Sequence, residues 1–337
     1  ILLSPDLLPQ LFSSFGISEH TAAGVCSTWS GAYSRQLRRC RYVDPTRVQQ
    51  LADVPTGPSG LCMLPGGVLA ITYTTREHAN GRETAVKFIA ARNDSAPQAL
   101  AAYRASSLAA RRFEVLAGLA LTNDGLLACS VRGESAALYK FAKNGSMDEL
   151  ATAPVLDDYG QGFRQCAVHQ QTQRTYAIVN GADEGRNALV LLDANLQFVA
   201  TVEVTPALAD DDPIRDVAVH GDQVIVLTCN SHPKGSGLRL LDLDGRFLRT
   251  IVTGQFRNPY ALNASHGRIF VVDDDDDVVD DNKLLHVIDI QSGDILQSVR
   301  FELGGEPSAV LVDGDEIYIA GFDAEKVVVL RFAGSEA

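Results

Sequence analysis

The residues with the most obvious chemistry are clustered carboxylates. Asp273 to Asp277 form an unbroken run, and Asp280-Asp281 follow closely. Alternate carboxylates at Asp273, Asp275 and Asp277 have the spacing with which a calcium loop begins, because that cation gathers several oxygens from one turn. Such a loop needs Gly at its sixth position and a bidentate Glu at its twelfth, where this chain has Val278 and Leu284. Loose affinity for a divalent ion is the most this spacing supports, and no metal site or cofactor is assigned. Further acidic groups stand at Asp157-Asp158, Asp183-Glu184 and Asp210-Asp211-Asp212.

Three arginines, Arg164, Arg215 and Arg257, each fall just ahead of an apolar run. A guanidinium presents a planar fork of donors and can clamp a carboxylate or phosphate. The same groups can instead pair with nearby Asp side chains or carbonyls and stiffen loops. His169 and His220 stand 51 positions apart in similar surroundings. With a carboxylate they could form a metal pair, or they could simply recur with a repeat. The sequence has no H-E-x-x-H, no G-x-S-x-G, no P-loop and no G-x-G-x-x-G opening a helix. No catalytic residue is assigned, and the chain is expected to bind rather than to catalyse.

Composition narrows the partners. Of 337 residues, 46% are hydrophobic and 21% charged, as in a folded globular chain. The net charge of −13 repels phosphate backbones and anionic membrane surfaces, so neither nucleic acid nor membrane is expected as a partner. A basic protein is the electrostatically easier partner. The six cysteines are scattered without a C-x-x-C pair, and four sit in apolar runs. They read as reduced core thiols of an intracellular protein, cytoplasmic or nuclear, with three disulfides in a secreted protein as the rival reading. No apolar run is long enough to span a bilayer. The opening Ile1-Leu2-Leu3-Ser4-Pro5-Asp6 lacks the basic and long apolar regions of a signal peptide. It also lacks an initiator Met, so a targeting signal could lie upstream.

These groups must be positioned by a repeat. Apolar runs begin at Val68, Leu126, Thr175, Val224, Ile269 and Ile317, with spacings of 58, 49, 49, 45 and 48. Each is preceded by another apolar run ending in a polar turn, as in Asp216-Val217-Ala218-Val219-His220-Gly221. A third run ends on Asp193, Asp242 or Asp289 in three units, and a fourth follows at Phe198–Val202, Phe247–Ile251 and Ile295–Val299. Four short antiparallel strands per unit make one propeller blade, and six units predict a mainly β, six-bladed β-propeller over residues 46–337. The last unit ends after its third strand, and Arg47-Val48-Gln49-Gln50-Leu51 is expected to supply the missing outer strand and close the ring. The Ala-rich stretch 96–112 of the first unit is either an outer strand with a long loop or a short helix. In this phasing the acidic groups share one rim with the loops between blades. That rim either attracts a basic partner or simply keeps the protein soluble. Asn263 is placed towards the central channel, where the other inner strands offer mostly Ala, Val and Leu.

The repeat resembles NHL-type propellers, best at Gly254-Gln255-Phe256-Arg257-Asn258-Pro259-Tyr260-Ala261-Leu262 followed by Gly267 to Asp273. Units three and five also resemble YVTN-type blades, as in Leu285-His286-Val287-Ile288-Asp289.

Residues 1–45 read as a short helical segment. Ser4-Pro5-Asp6 can start a helix carrying Leu7, Leu8, Leu11, Phe12 and Phe15, and Gly16 stops it. A second stripe has Ala22, Val25, Cys26 and Trp29. With its Val25-Cys26-Ser27-Thr28-Trp29 run, this segment resembles an F-box. The resemblance implies that Pro5, Leu8, Leu11, Phe12, Phe15, Val25 and Trp29 dock the adaptor of a cullin-type ubiquitin ligase while the propeller holds the substrate. The alternative is a helical cap whose Trp29 packs against the propeller. A metal-dependent, lactonase-like hydrolase with a channel site, and a scaffold propeller without a ubiquitin link, stand beside the receptor reading.

Overall fold

Turns of Gly and Asp between short apolar runs bring consecutive strands together antiparallel. The computed structural model describes residues 42–51, 54–75, 83–91, 116–131, 137–142, 149–154, 162–180, 187–204, 213–229, 236–274, 282–322 and 326–333. Strand β1 (Val43–Gln50) comes first. Blade 1 holds β2 (Pro58–Leu64), β3 (Val68–Thr75) and β4 (Glu83–Ala90). Blade 2 holds β5 (Leu116–Leu121), β6 (Gly125–Ser130), β7 (Ala137–Ala142) and β8 (Glu149–Pro154). Blade 3 holds β9 (Phe163–Val168), β10 (Thr175–Asn180), β11 (Asn187–Leu192) and β12 (Phe198–Val202). Blade 4 holds β13 (Ile214–His220), β14 (Gln223–Thr228), β15 (Gly237–Asp242) and β16 (Phe247–Thr253). Blade 5 holds β17 (Pro259–Ser265), β18 (Arg268–Asp274), β19 (Asn282–Asp289) and β20 (Ile295–Glu302). Blade 6 holds β21 (Pro307–Asp313), β22 (Glu316–Gly321) and β23 (Lys326–Phe332).

The six sheets form a closed six-bladed propeller in which β2, β5, β9, β13, β17 and β21 neighbour one another around the axis. The expected closure is present. β1 is the outermost strand of blade 6 and pairs antiparallel with β23, Val43 opposite Phe332 and Gln50 opposite Val328. It starts at Val43, three residues ahead of the boundary expected at 46. No helix occurs among the described residues. The helical segment with Pro5, Leu8, Leu11, Phe12, Phe15, Val25 and Trp29 lies outside them, as does the stretch 96–112.

The core is divided, not central. Six apolar clusters each lie between two neighbouring blades, for example Phe270 and Val287 of blade 5 against Ile317 and Phe332 of blade 6. The second strand of each blade is therefore covered on both faces. Both β6 and β22 are buried at every residue, which is why these strands read as unbroken apolar runs. Outer strands such as β12 and β16 face water and carry mixed residues.

Polar groups join blade to blade near the axis. Ser308 Oγ donates to the Pro58 carbonyl at 2.7 Å, Ser59 Oγ to the Leu116 carbonyl at 2.8 Å and Thr72 Oγ1 to the Ala117 carbonyl at 2.6 Å. Asn187 Nδ2 donates to the Ile214 carbonyl at 3.0 Å. The inner strands approach so closely that a Cβ on Gly60 would lie 2.2 Å from the Ala117 carbonyl oxygen.

Candidate functional site

All six inner strands carry the same irregularity near their first residue. The pairing register shifts between Ile214 and Asp216 in β13, between Pro259 and Ala261 in β17, and between Pro307 and Ala309 in β21. It shifts likewise at Ser59 in β2, over Ala117-Gly118 in β5, and at Arg164 in β9. A β-bulge leaves its extra residue out of the ladder and re-aims that side chain. The bulged positions surround one end of the channel, the end where the chain enters each inner strand. In blades 3, 4 and 5 they hold Arg164, Arg215 and Tyr260.

Arg215 and Tyr260 meet, and Arg164 lies within electrostatic reach of both. Arg215 lies with its Cζ 5.8 Å from the centre of the Tyr260 ring. The Tyr260 hydroxyl accepts from Asn258 Nδ2 at 2.9 Å, and Cys229 Sγ lies 3.8 Å from Asn258 Oδ1. Burial, and then the neighbouring Arg215 charge, lower the pKa of Arg164, partly opposed by Asp216, Cys229 and Tyr260. Tyr260 is raised by its burial and by Glu306.

Asp216 follows Arg215 and is only 6% exposed. Its Oδ1 accepts from the Val217 amide at 2.7 Å, and its Oδ2 accepts from the Leu262 amide of blade 5 at 2.6 Å. Desolvation raises its pKa to about 7 against the opposing pull of those two amides and of Arg164. The sequence reading missed both Asp216 and Tyr260. The available signal was a charge in an inner strand where the post-bulge positions of other blades are Gly60, Gln165, Ala261 and Ala309.

Below the mouth lies a cavity of about 250 Å³ lined by all six inner strands. Its wall is mostly apolar, with Asp216, Gln165 and Asn263 as polar members, so Asn263 faces the channel as expected. Among the described residues no three His, Cys, Asp or Glu side chains are grouped to hold a metal ion. His169 contacts Thr172 Oγ1 at 2.7 Å through Nδ1 and Asp222 at 3.7 Å through Nε2, a link between blades 3 and 4.

The expected site residues divide. Arg164 and Arg215 occupy equivalent positions in neighbouring inner strands, within electrostatic reach of each other. The Arg257 side chain is exposed, and its backbone amide donates to Asp273 Oδ2 at 3.0 Å. Asp273 is not a rim carboxylate, because β18 runs through it and it is 2% exposed. It also accepts from the Asn258 amide at 2.8 Å and faces His286 Nε2 at 3.5 Å, so it holds the turn that leads to Tyr260. Asp157, Asp158, Asp183, Glu184, Asp210, Asp211, Asp212, Asp275 and Asp277 lie outside the described residues. The described strands flanking them, such as β8 and β9 or β10 and β11, end at the mouth side of the ring. Cys62, Cys129, Cys166 and Cys229 are buried and free. No helix among the described residues is long and apolar enough to cross a membrane.

No protein-family model matches the chain, and no curated protein matches it. Solved structures share its fold. A gluconolactonase from Xanthomonas campestris superposes with a TM-score of 0.53 at 13% identity, over 85% of this chain and 89% of that one. Hydrazine synthase from Kuenenia stuttgartiensis gives 0.52 at 15% identity, over 84% and 97%. A chain of a nidogen/laminin complex gives 0.50 at 11% identity, over 82% and 89%. At these identities the likeness is one of fold, and the three proteins differ in function.

Proposed function

We propose that this chain is a partner-binding propeller whose working surface is the mouth where the inner strands begin. The observation that carries this reading is the bulge ring, which puts Arg164, Arg215 and Tyr260 at equivalent positions of three neighbouring blades at the channel end. Arg and Tyr dominate binding energy at protein interfaces. Arg215 and Tyr260, already packed on each other, lose little freedom when a partner arrives. The acid-rich segments strung between strands that end at this side would favour a partner with basic residues around the contact.

The F-box-like run Val25-Cys26-x-x-Trp29 supports a finer version, in which residues 5–29 dock a ubiquitin-ligase adaptor and the mouth holds the substrate. Four buried thiols without a disulfide suit the reducing interior of a cell. A second reading is a channel hydrolase. It is favoured by Asp216, a buried carboxyl on the channel wall whose pKa of about 7 suits proton transfer.

Panning a displayed random-peptide library against the purified chain tests the binding reading. The comparison is an Arg164→Ala, Arg215→Ala, Tyr260→Ala variant checked for folding. Sequences enriched on the native chain and lost on the variant support the mouth. Equal enrichment on both, or none, overturns it. Adaptor binding that survives Leu11→Asp with Trp29→Ala, or that never occurs, removes the ubiquitin-ligase part. Turnover of a lactone panel that is abolished by Asp216→Asn would favour the hydrolase.

A further inference from the structure

We propose that the mouth is an oxyanion site, in which the guanidinium groups of Arg164 and Arg215 together hold one carboxylate or phosphate group of the bound partner. This rests on reading the mouth as the binding surface, and it names the chemistry that surface takes.

The two arginines occupy the same bulged position in neighbouring blades, so they are paired by the symmetry of the ring. Other arginines have acceptors: Arg249 donates to the Ile290 and Gln291 carbonyls, and three more meet carboxylates. Arg174 meets Asp244 at 2.9 Å, Arg331 meets Glu316 at 2.9 Å, and Arg268 meets Asp289. Among the described residues neither Arg164 nor Arg215 forms an ion pair or a side-chain hydrogen bond. Arg215 Nε is out of contact with solvent and has no acceptor. Arg268 Nε is likewise without an acceptor, but its guanidinium is paired with Asp289 through Nη1, whereas Arg215 has no carboxylate at any of its nitrogens among the described residues.

The nearby acids do not supply it. Both oxygens of Asp216 already accept backbone amides, and burial makes this carboxyl only partly ionised at neutral pH. Asp274, on the Tyr260 side, is neutralised by Lys283 at 2.7 Å. Glu306 is exposed and near Tyr260. Two positive charges thus face at most one buried negative charge, inside a chain whose net charge is −13. An incoming oxyanion relieves the repulsion between Arg164 and Arg215 and gives their forks an acceptor. The Tyr260 hydroxyl accepts from Asn258, so its own proton remains to donate to the same anion.

The test uses the purified chain with two probes, inorganic phosphate and acetate, at constant ionic strength set with chloride. Binding is read by calorimetry and thermal shift. Arg164→Gln and Arg215→Gln are each expected to weaken the bound anion by about tenfold or more. Arg257→Gln, on an exposed side chain outside the pair, should leave it within about twofold. Binding by phosphate alone identifies a phosphoryl group as the source, and binding by acetate identifies a carboxylate. Absence of saturable binding by both probes overturns the inference, as does unchanged affinity in the two Gln variants. If neither anion binds but neutral peptides are still selected through the mouth, the oxyanion site falls and the binding surface stands. If anions bind and no peptide is selected, the oxyanion site stands and the partner-binding reading falls.

Discussion

Gln297 grips the backbone of Val43 with both ends of its amide. Nε2 donates to the Val43 carbonyl at 2.9 Å, and Oε1 accepts from the Val43 amide at 2.7 Å, across 254 positions of sequence. Gln297 belongs to blade 5 and Val43 starts the strand that completes blade 6, so the contact pins the closing strand to the neighbouring blade. Gln297→Ala leaves two backbone groups without these partners and should lower stability by about 1–3 kcal/mol. Urea denaturation reads the loss, and limited proteolysis should show earlier cutting within 45–51. Unchanged stability and unchanged cutting would show that β1 is held by the β23 ladder alone.

Asp216 makes stability fall with rising pH. Its carboxyl ionises near pH 4 in an unfolded chain and near 7 in the folded one. The folded state therefore binds this proton more tightly. Its contribution is complete below about pH 4, declines as pH rises towards about 7, and is flat above. The difference in unfolding free energy between native chain and Asp216→Asn should shrink by about 2 kcal/mol from pH 5 to pH 8. A difference that stays constant over that range would mean that Asp216 ionises in both states alike.

Two glycines should fail for different reasons. At Gly60 an added Cβ would meet the Ala117 carbonyl oxygen at 2.2 Å, an atom of the neighbouring inner strand that cannot step aside. Gly60→Ala should cost about 2–3 kcal/mol through overpacking. Gly221 has nothing within 4 Å of its added Cβ but holds φ at +54°. Gly221→Ala should cost only the left-handed strain, about 1 kcal/mol. Thermal melts of both variants check the order, and a larger loss at Gly221 would reverse the assignment.

The inner hydroxyls act as links in the ring. Ser308→Ala and Ser59→Ala each remove one hydrogen bond to the next blade, at 2.7 Å and 2.8 Å respectively. Each should lower stability by about 1 kcal/mol, seen as a fall of a few degrees in Tm. Variants that melt like the native chain would show that the apolar clusters alone hold those blades together.

What could be read in advance follows from how each residue is covered. The runs from Val68, Leu126, Thr175, Val224, Ile269 and Ile317 are all second strands, apolar because blades cover them on both faces. The missing outer strand was legible because blade 6 otherwise ends with an open edge. The bulges were not legible, since a one-residue offset in register leaves composition and period untouched. Arg164 and Arg215 could be named, but the packing of Arg215 on Tyr260 could not. Asp273 was misassigned to the rim because a run of Asp looks like one loop. Two residues of that run belong to β18, and the amides of Arg257 and Asn258 make burial of Asp273 tolerable.

The register of the closing strand also sets how the ring responds to force. Val43 opposes Phe332, so the chain segments on either side of the propeller depart from the same end of the β1–β23 ladder. Tension between those segments loads the hydrogen bonds one after another, as a zipper opens. Tension between Gln50 and Phe332 would load the whole ladder at once, in shear. A pull transmitted through residues 1–42 against the far end of the chain therefore meets the propeller in its weakest direction, and peels β1 away while the six interfaces between inner strands stay packed.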